Sequence, residues 1–159
     1  MKKQLKAAML VAMSVVLSLA IMAKPVLAQE TTTFEEAFGA ASALAMYNVQ
    51  VVVGLTADAY AKDVYNGEDA KAVVAEQKGA LTTLDGYVVK LLNLTTLTEA
   101  DRKSLNDISG CLKKLGYTAD ALTAYIDSQT DDNANDFQAK RKDSYNTLAE
   151  LLGLEKITE

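Results

Sequence analysis

"LNDISGCLKKLGYTADALTAYI", residues 105–126, has the most regular apolar spacing in the chain. Its apolar side chains recur at alternating intervals of three and four residues: Leu105, Ile108, Leu112, Leu115, Ala119, Leu122 and Ile126. Since an α-helix turns once every 3.6 residues, these positions form one narrow stripe, which is typical of a helix that packs lengthwise against other helices. Thr98 and Asp101 have the spacing of a helix N-cap, so we predict a helix over 98–129.

Three other segments show the same periodicity. The first carries its stripe at Phe34, Phe38, Ala41, Ala45, Asn48, Val52, Leu55 and Ala59. The second carries it at Ala70, Val74, Gln77, Leu81, Leu84, Val88 and Leu91. The last, which follows residue 130, carries it at Ala134, Phe137, Arg141, Ser144, Leu148 and Leu151. The four predicted helices cover about 33–65, 68–94, 98–129 and 132–153.

The segments between the predicted helices are short and polar. Asn66-Gly67 is a turn signal, Asp131 and Asp132 suit the amino end of a helix, and Gly153 is placed to end one. No segment after residue 30 alternates with period two, so we expect no sheet. The sequence predicts an all-α fold, an antiparallel up-down-up-down four-helix bundle after an N-terminal signal peptide. The alternative is a helical hairpin pair that dimerises into a bundle.

Residues 1–28 have the three-part layout of a secretory signal peptide: a basic start, an apolar run and a helix-breaking end with small residues. We expect cleavage between Ala28 and Gln29, which leaves 29–159 as the bundle domain. The alternative is a retained membrane anchor, since an apolar run of about 17 residues is near the lower limit for a bilayer span. We expect no second segment that could cross a membrane. The prediction is therefore a periplasmic or secreted protein without stable membrane insertion.

The predicted mature protein is acidic. Loss of the leader removes four of the 16 basic residues and none of the 21 acidic residues, which changes the net charge from −5 to −9. A negatively charged protein is repelled by nucleic acid and by anionic membrane surfaces, so neither is expected as a partner. Another exported protein is the expected partner, and a homodimer stays open.

The chain lacks the residues that most catalytic and metal sites need. It contains no histidine, which excludes His-based acid–base catalysis, Ser-His or Cys-His nucleophiles and imidazole ligation of metals or haem. The acidic loop "DSQTDDNAND", residues 127–136, lacks the glycine and the closing glutamate of a calcium loop. A single cysteine, Cys111, cannot form an internal disulfide, and we expect a half-buried thiol rather than one activated by Lys113 and Lys114. We therefore predict no enzyme activity, no cofactor and no metal.

Arg141 stands at a position of the last stripe that should face the core. A guanidinium cannot escape burial by losing its proton, so it must be paired or must reach water along its own stem. We predict an ion pair with Asp58, with hydrogen bonds from Gln77 and Tyr145, and Asp120 as the substitute partner. Three roles are open: a polar layer that fixes helix register, an arginine that reaches solvent between helices, or a pocket for a carboxylate or similar anion.

Two functions follow as hypotheses. The first is an exported, non-enzymatic bundle that binds another protein, as an adaptor, an inhibitor, or a stress-related or immunity-type factor. An exposed patch around Tyr47, Val49 and Val53 would favour it. The alternative is a sensor-like bundle that binds a small anion, with Arg141, Gln77, Asp58 and Tyr145 at the ligand. A closed cavity beside Arg141 would favour the alternative.

Overall fold

The computed structural model describes residues 34–158, and its side chains are described from Ala37 onward. The four helices in this range are α1 (Phe34–Ala61), α2 (Gly67–Leu92), α3 (Glu99–Asp127) and α4 (Asp131–Leu152). No strand occurs between residues 34 and 158. The predicted all-α fold with four helices is therefore confirmed. The predicted signal peptide and its cleavage site lie outside the described residues.

The helices begin and end where local hydrogen bonding dictates. Thr98 forms a complete capping box with Asp101 at the start of α3, as the spacing predicted. Asn66 caps α2 by accepting from the backbone N–H of Asp69 at 2.8 Å, and Thr130 caps α4. Gly153 ends α4 in the left-handed conformation, with φ 65°.

The largest boundary error is at the end of α1, which was predicted near residue 65 and lies at Ala61. Asp63 takes a left-handed conformation with φ 55°. The N–H of Val64 then bonds to the carbonyl oxygen of Ala59 at 2.8 Å, and the N–H of Asp63 to that of Tyr60 at 3.0 Å. This pair of bonds is the Schellman termination, and nothing in the composition of the stretch identifies it because glycine is absent.

The core forms mainly from the predicted stripes of α2 and α3. All seven stripe residues of α3 are buried, and Leu115 and Leu122 are among the largest fully buried side chains. Ala70, Val74, Leu81 and Val88 of α2 are buried with them. α1 and α3 each pack against the other three helices, whereas α2 and α4 have few contacts with each other.

The stripe predicted for α1 is wrong by one residue. The buried positions are Ser42, Met46, Val49, Gln50, Val53, Thr56 and Ala57. Ala41 and Ala45 are exposed instead, and Leu55 is 52% exposed. The physical reason is that residues 37–57 contain no charged side chain, so both faces of α1 are apolar and periodicity cannot select between them.

The uncharged stretch of α1 also overturns the expectation of no second membrane-compatible segment. Ala37–Ala61, 25 residues long, is apolar enough to cross a bilayer by length and composition. Part of this segment is buried within the bundle, through residues such as Met46 and Val53.

Candidate functional site

Three polar side chains from three helices meet in the interior. Ser144 of α4 donates from Oγ to Oε1 of Gln50 on α1 at 3.0 Å. Oγ1 of Thr118 on α3 lies 2.9 Å from Oγ of Ser144 and 3.0 Å from the carbonyl oxygen of Lys140. Nε2 of Gln50 donates to the carbonyl oxygen of Arg141 at 3.0 Å. We call Gln50, Thr118 and Ser144 the polar layer.

The side chains of the polar layer are buried, and they form hydrogen bonds with one another and with nearby backbone carbonyl groups. Gln50 is 6% exposed, Thr118 1% and Ser144 0%. Each polar atom of Gln50 has one partner, because its oxygen accepts and its amide nitrogen donates. A buried amide without these bonds would be strongly destabilising, so the layer ties α1, α3 and α4 into one alignment.

The sequence identified only one member of this layer. Ser144 faces the core as its stripe position predicted. Asn48 was assigned to the polar interruption of α1, but Gln50 occupies it and Asn48 is only partly buried. Thr118 was missed because a threonine beside a stripe is usually satisfied by its own helix, and Thr118 does lie 3.1 Å from the carbonyl oxygen of Lys114.

Arg141 lies against the backbone of α1 rather than inside the layer. A β-carbon built at Gly54 would be 2.7 Å from Nη2 of Arg141, 3.1 Å from Cζ and 3.3 Å from Nε. The guanidinium therefore occupies the space that a side chain at residue 54 would fill. Arg141 is partly buried, which fits an arginine that reaches the edge of the bundle along its own stem.

The predicted ion pair between Arg141 and Asp58 is absent. Among the described residues the Arg141 guanidinium has no hydrogen bond and no carboxylate within 4.0 Å, and the exposed Asp58 carboxylate has no partner. Asp120, the substitute, pairs with Lys78 instead. Counting residues from the turns puts Arg141 and Asp58 at similar heights along the bundle, but such a count does not give the direction of a side chain around its helix.

Gln77 and Tyr145 are partly buried, and neither makes a side-chain hydrogen bond within residues 34–158. Two surface cavities are described, and neither is lined by Arg141, Gln77, Asp58 or Tyr145. The Arg141 side chain thus lies against the part of α1 that also carries Asp58. The structure does not gather the four predicted ligand-binding residues around either cavity.

The larger cavity is an open groove of about 330 Å³ between α1 and α2. It is lined by Ala45, Val49, Ala80, Leu81, Thr83, Leu84 and Tyr87. We call these seven residues the α1–α2 groove. None of them is charged, and Tyr87 at its edge is 55% exposed. The smaller cavity, about 170 Å³ between α2 and α3, is bordered by charged side chains, among them Lys78, Asp85 and Lys113.

The exposed patch around Tyr47, Val49 and Val53 that would favour protein binding is not formed by the described residues. Val49 is 5% exposed and Val53 is 2% exposed, because the register of α1 is displaced by one residue. Exposed apolar side chains lie elsewhere, among them Tyr87 and Val89 on α2 and Leu55 on α1. Nζ of Lys90 lies 5.3 Å from the centroid of the Tyr87 ring, within the range of a cation–π contact.

Cys111 is an unreactive thiol in this environment. Its side chain is 0% exposed, more deeply buried than its position beside the stripe indicated. Burial raises the pKa of the thiol from an ordinary 9.0 to about 11, and the opposing effect of Lys114 is smaller. Nζ of Lys114 donates to Oδ1 of Asp143 at 2.9 Å, so its charge is already paired.

The described residues offer no group of three or more His, Cys, Asp or Glu that could hold a metal ion. No protein-family model, curated protein or solved structure matches the chain. The α1–α2 groove and the surface of α1 around Arg141 are the features from which a function can be argued.

Proposed function

We propose that this chain is an exported, non-enzymatic helical bundle that binds another protein through the α1–α2 groove. The observation that carries the proposal is the groove itself, an open concave surface of about 330 Å³ with no charged lining. A partner of this kind suits an adaptor, an inhibitor, or a stress-related or immunity-type factor.

The chemistry of the groove favours a protein partner over a small molecule. Sites for small molecules combine apolar walls with a few convergent polar groups that fix orientation. Here the polar groups of the lining are only the hydroxyls of Thr83 and Tyr87. The small side chains of Ala45 and Ala80 leave room for an apolar side chain from a partner helix, and Tyr87 provides an aromatic edge. The anion-binding alternative needs a cavity beside Arg141, and both described cavities are lined by other residues.

Two further parts of the proposal concern topology and location. The connections between helices cover only residues 62–66, 93–98 and 128–130, and short connections support an antiparallel up-down-up-down order. The apolar run after the basic start "MKKQLK" supports export with cleavage after Ala28. Export brings the groove into contact with periplasmic or secreted partners.

Site-specific photocrosslinking in the producing cells tests the proposal. A photoreactive amino acid at Ala80 should form a discrete adduct with a second protein, because Ala80 lines the groove. Gly110 is the control position, since it is exposed on α3 and a β-carbon there would contact nothing within 4 Å. The groove proposal fails if neither position forms an adduct, or if both give the same set of adducts.

A further inference from the structure

Two opposite charges without partners lie near each other on the surface of α1. The guanidinium of Arg141 rests on Gly54, and Asp58 follows Gly54 by four residues, which is one helical turn and about 6 Å along the axis. Neither side chain has a hydrogen bond or ion pair with the residues that the structure describes. Elsewhere in that range many charges are paired, for example Lys71 with Asp127 at 2.7 Å and Lys114 with Asp143 at 2.9 Å.

An exposed leucine, Leu55, directly follows Gly54 on α1. Leu55 is 52% exposed, and the residues that precede it in α1 carry no charge as far as Ala37. Isolated apolar residues are common on protein surfaces. A leucine on a helix that carries an unpaired anion and contacts an unpaired cation has instead the composition of a small interface centre with a polar rim.

We propose that two copies of this chain associate across this surface, with Arg141 of each copy bound to Asp58 of the other and the two Leu55 side chains in contact at the centre. A two-fold axis that passes beside α1, perpendicular to the helix and level with the midpoint between Gly54 and Asp58, runs the two helices antiparallel. The level of Gly54 in one copy then meets the level of Asp58 in the other. One operation forms both ion pairs, because in a two-fold interface each contact occurs twice.

Charge complementarity identifies the second copy as the occupant. The patch carries one positive group, Arg141, and one negative group, Asp58. When two copies meet antiparallel, the positive group of each faces the negative group of the other. The rest of the molecule is acidic, so two copies repel each other over most of their surfaces and least where α1 is uncharged. The contact is separate from the α1–α2 groove, whose α1 residues are Ala45 and Val49. Failure of one proposal therefore leaves the other standing.

The expected dimer is weak. One helix crossing with two rim ion pairs buries less than the roughly 1,600 Å² of a standard interface. We expect dissociation constants in the micromolar range or above, so that the form recovered from expressing cells passes from monomer to dimer as its concentration rises from about 1 μM to about 500 μM. Sedimentation velocity measures this transition directly.

A pair of charge-reversal variants provides the decisive test. Asp58→Arg alone places two guanidinium groups at each contact, and Arg141→Glu alone places two carboxylates there. Each variant should dimerise at least about tenfold more weakly than the wild type, because exposed ion pairs contribute modestly and both contacts are lost. An equimolar mixture of the two variants should dimerise again, since the heterodimer restores two oppositely charged pairs.

Control variants distinguish loss of the dimer from misfolding and from an Arg141–Asp58 ion pair within one chain. Glu155→Lys changes the exposed C-terminal segment and reverses the sign of one carboxylate as Asp58→Arg does, so it should leave the dimer unchanged. Leu55→Glu should weaken the dimer without touching either charge. The proposal is overturned if the wild type stays monomeric throughout, or if the mixture sediments as its components do. A double variant that regains thermal stability without any change in sedimentation would place the ion pair inside one chain and also overturn it.

Discussion

Two buried serines show how much the partner of a single hydroxyl matters. Ser42 on α1 is 2% exposed, and its Oγ has no hydrogen-bond partner. Ser144 on α4 is 0% exposed and takes part in the polar layer. Burying a hydroxyl without a hydrogen bond costs free energy, whereas removing one member of a satisfied network leaves its partners unsatisfied. The same substitution at the two positions should therefore have opposite effects.

Ser144→Ala should lower the free energy of unfolding by about 1–3 kcal/mol, because Gln50 Oε1 loses its donor inside the bundle. Ser42→Ala should leave the free energy of unfolding unchanged or raise it by up to about 1 kcal/mol. Urea unfolding followed by circular dichroism measures both values. Equal destabilisation by the two variants would show that the polar layer contributes nothing specific.

Gly54 and Gly110 give a second matched pair at the residue scale. Gly110→Ala should raise the free energy of unfolding by about 0.5–1 kcal/mol, because alanine favours a helix and its β-carbon meets nothing there. Gly54→Ala should raise the free energy of unfolding by less than Gly110→Ala does, because the Arg141 guanidinium has to move away from the new methyl group. Thermal unfolding of both variants gives the difference. A larger gain at Gly54 than at Gly110 would contradict the observed position of the arginine.

Among the elements, α3 could be predicted from its sequence and α1 could not. α3 alternates apolar stripe residues with charged ones such as Lys113 and Asp120, so the buried face is marked on both sides. α1 has apolar residues all round, and its true register depends on which neighbours cover it. Gln50 and Gly54 were missed for that reason. The position of Arg141 in the stripe of α4 was recognised from the sequence. Its contact with Gly54 was not, because that contact depends on the register of α1, which the sequence does not determine.

The N-cap of α3 is testable as an element-scale prediction. Thr98→Ala should cost about 1 kcal/mol of stability at neutral pH, since the backbone N–H of Asp101 loses its acceptor. The side chain and backbone N–H of Thr98 hold the pKa of Asp101 below its ordinary value of 3.8. That contribution is present above the ordinary pKa and disappears as the pH falls through the lowered pKa. The difference in the free energy of unfolding between the wild type and Thr98→Ala should therefore decrease below about pH 4.

NMR titration of the Asp101 carboxyl measures the cause directly. In Thr98→Ala the pKa of Asp101 should rise toward its ordinary value, because the hydroxyl donor is lost. Thr95→Ala is the control, since Thr95 is exposed in the connection before the cap. A pKa that stays low in Thr98→Ala would mean that the backbone N–H alone sets it.

At the scale of the whole molecule, the closed interior couples the stability of the chain to one thiol. Cys111 packs in the same core as Leu112, Leu115 and Val53, and burial there disfavours its ionisation. The polar layer fixes the alignment of three helices around this core. The sulfur is shielded from solvent, since the Cys111 side chain is 0% exposed and neither surface cavity is lined by it.

The free energy of unfolding should fall between about pH 9 and pH 11 more steeply in the wild type than in Cys111→Ala. The unfolded thiol loses its proton around 9.0, while burial keeps the folded thiol protonated to about 11. Ionisation thus favours the unfolded state in that window, by an amount that approaches about 2–3 kcal/mol at its upper end. Cys111→Ala carries a constant packing cost but no such slope. Urea titrations at several pH values compare the two, and parallel curves would contradict the burial of the thiol.

The apolar character of α1 has a consequence during synthesis. α1 leaves the ribosome before the helices that cover Met46 and Val53 exist, and about 90 residues separate its end from the end of α4. At about 5–20 residues per second, the nascent chain exposes this helix for roughly 5–20 s. For that interval the growing polypeptide carries an uncovered segment that is long and apolar enough to span a bilayer, until its later helices arrive to enclose it.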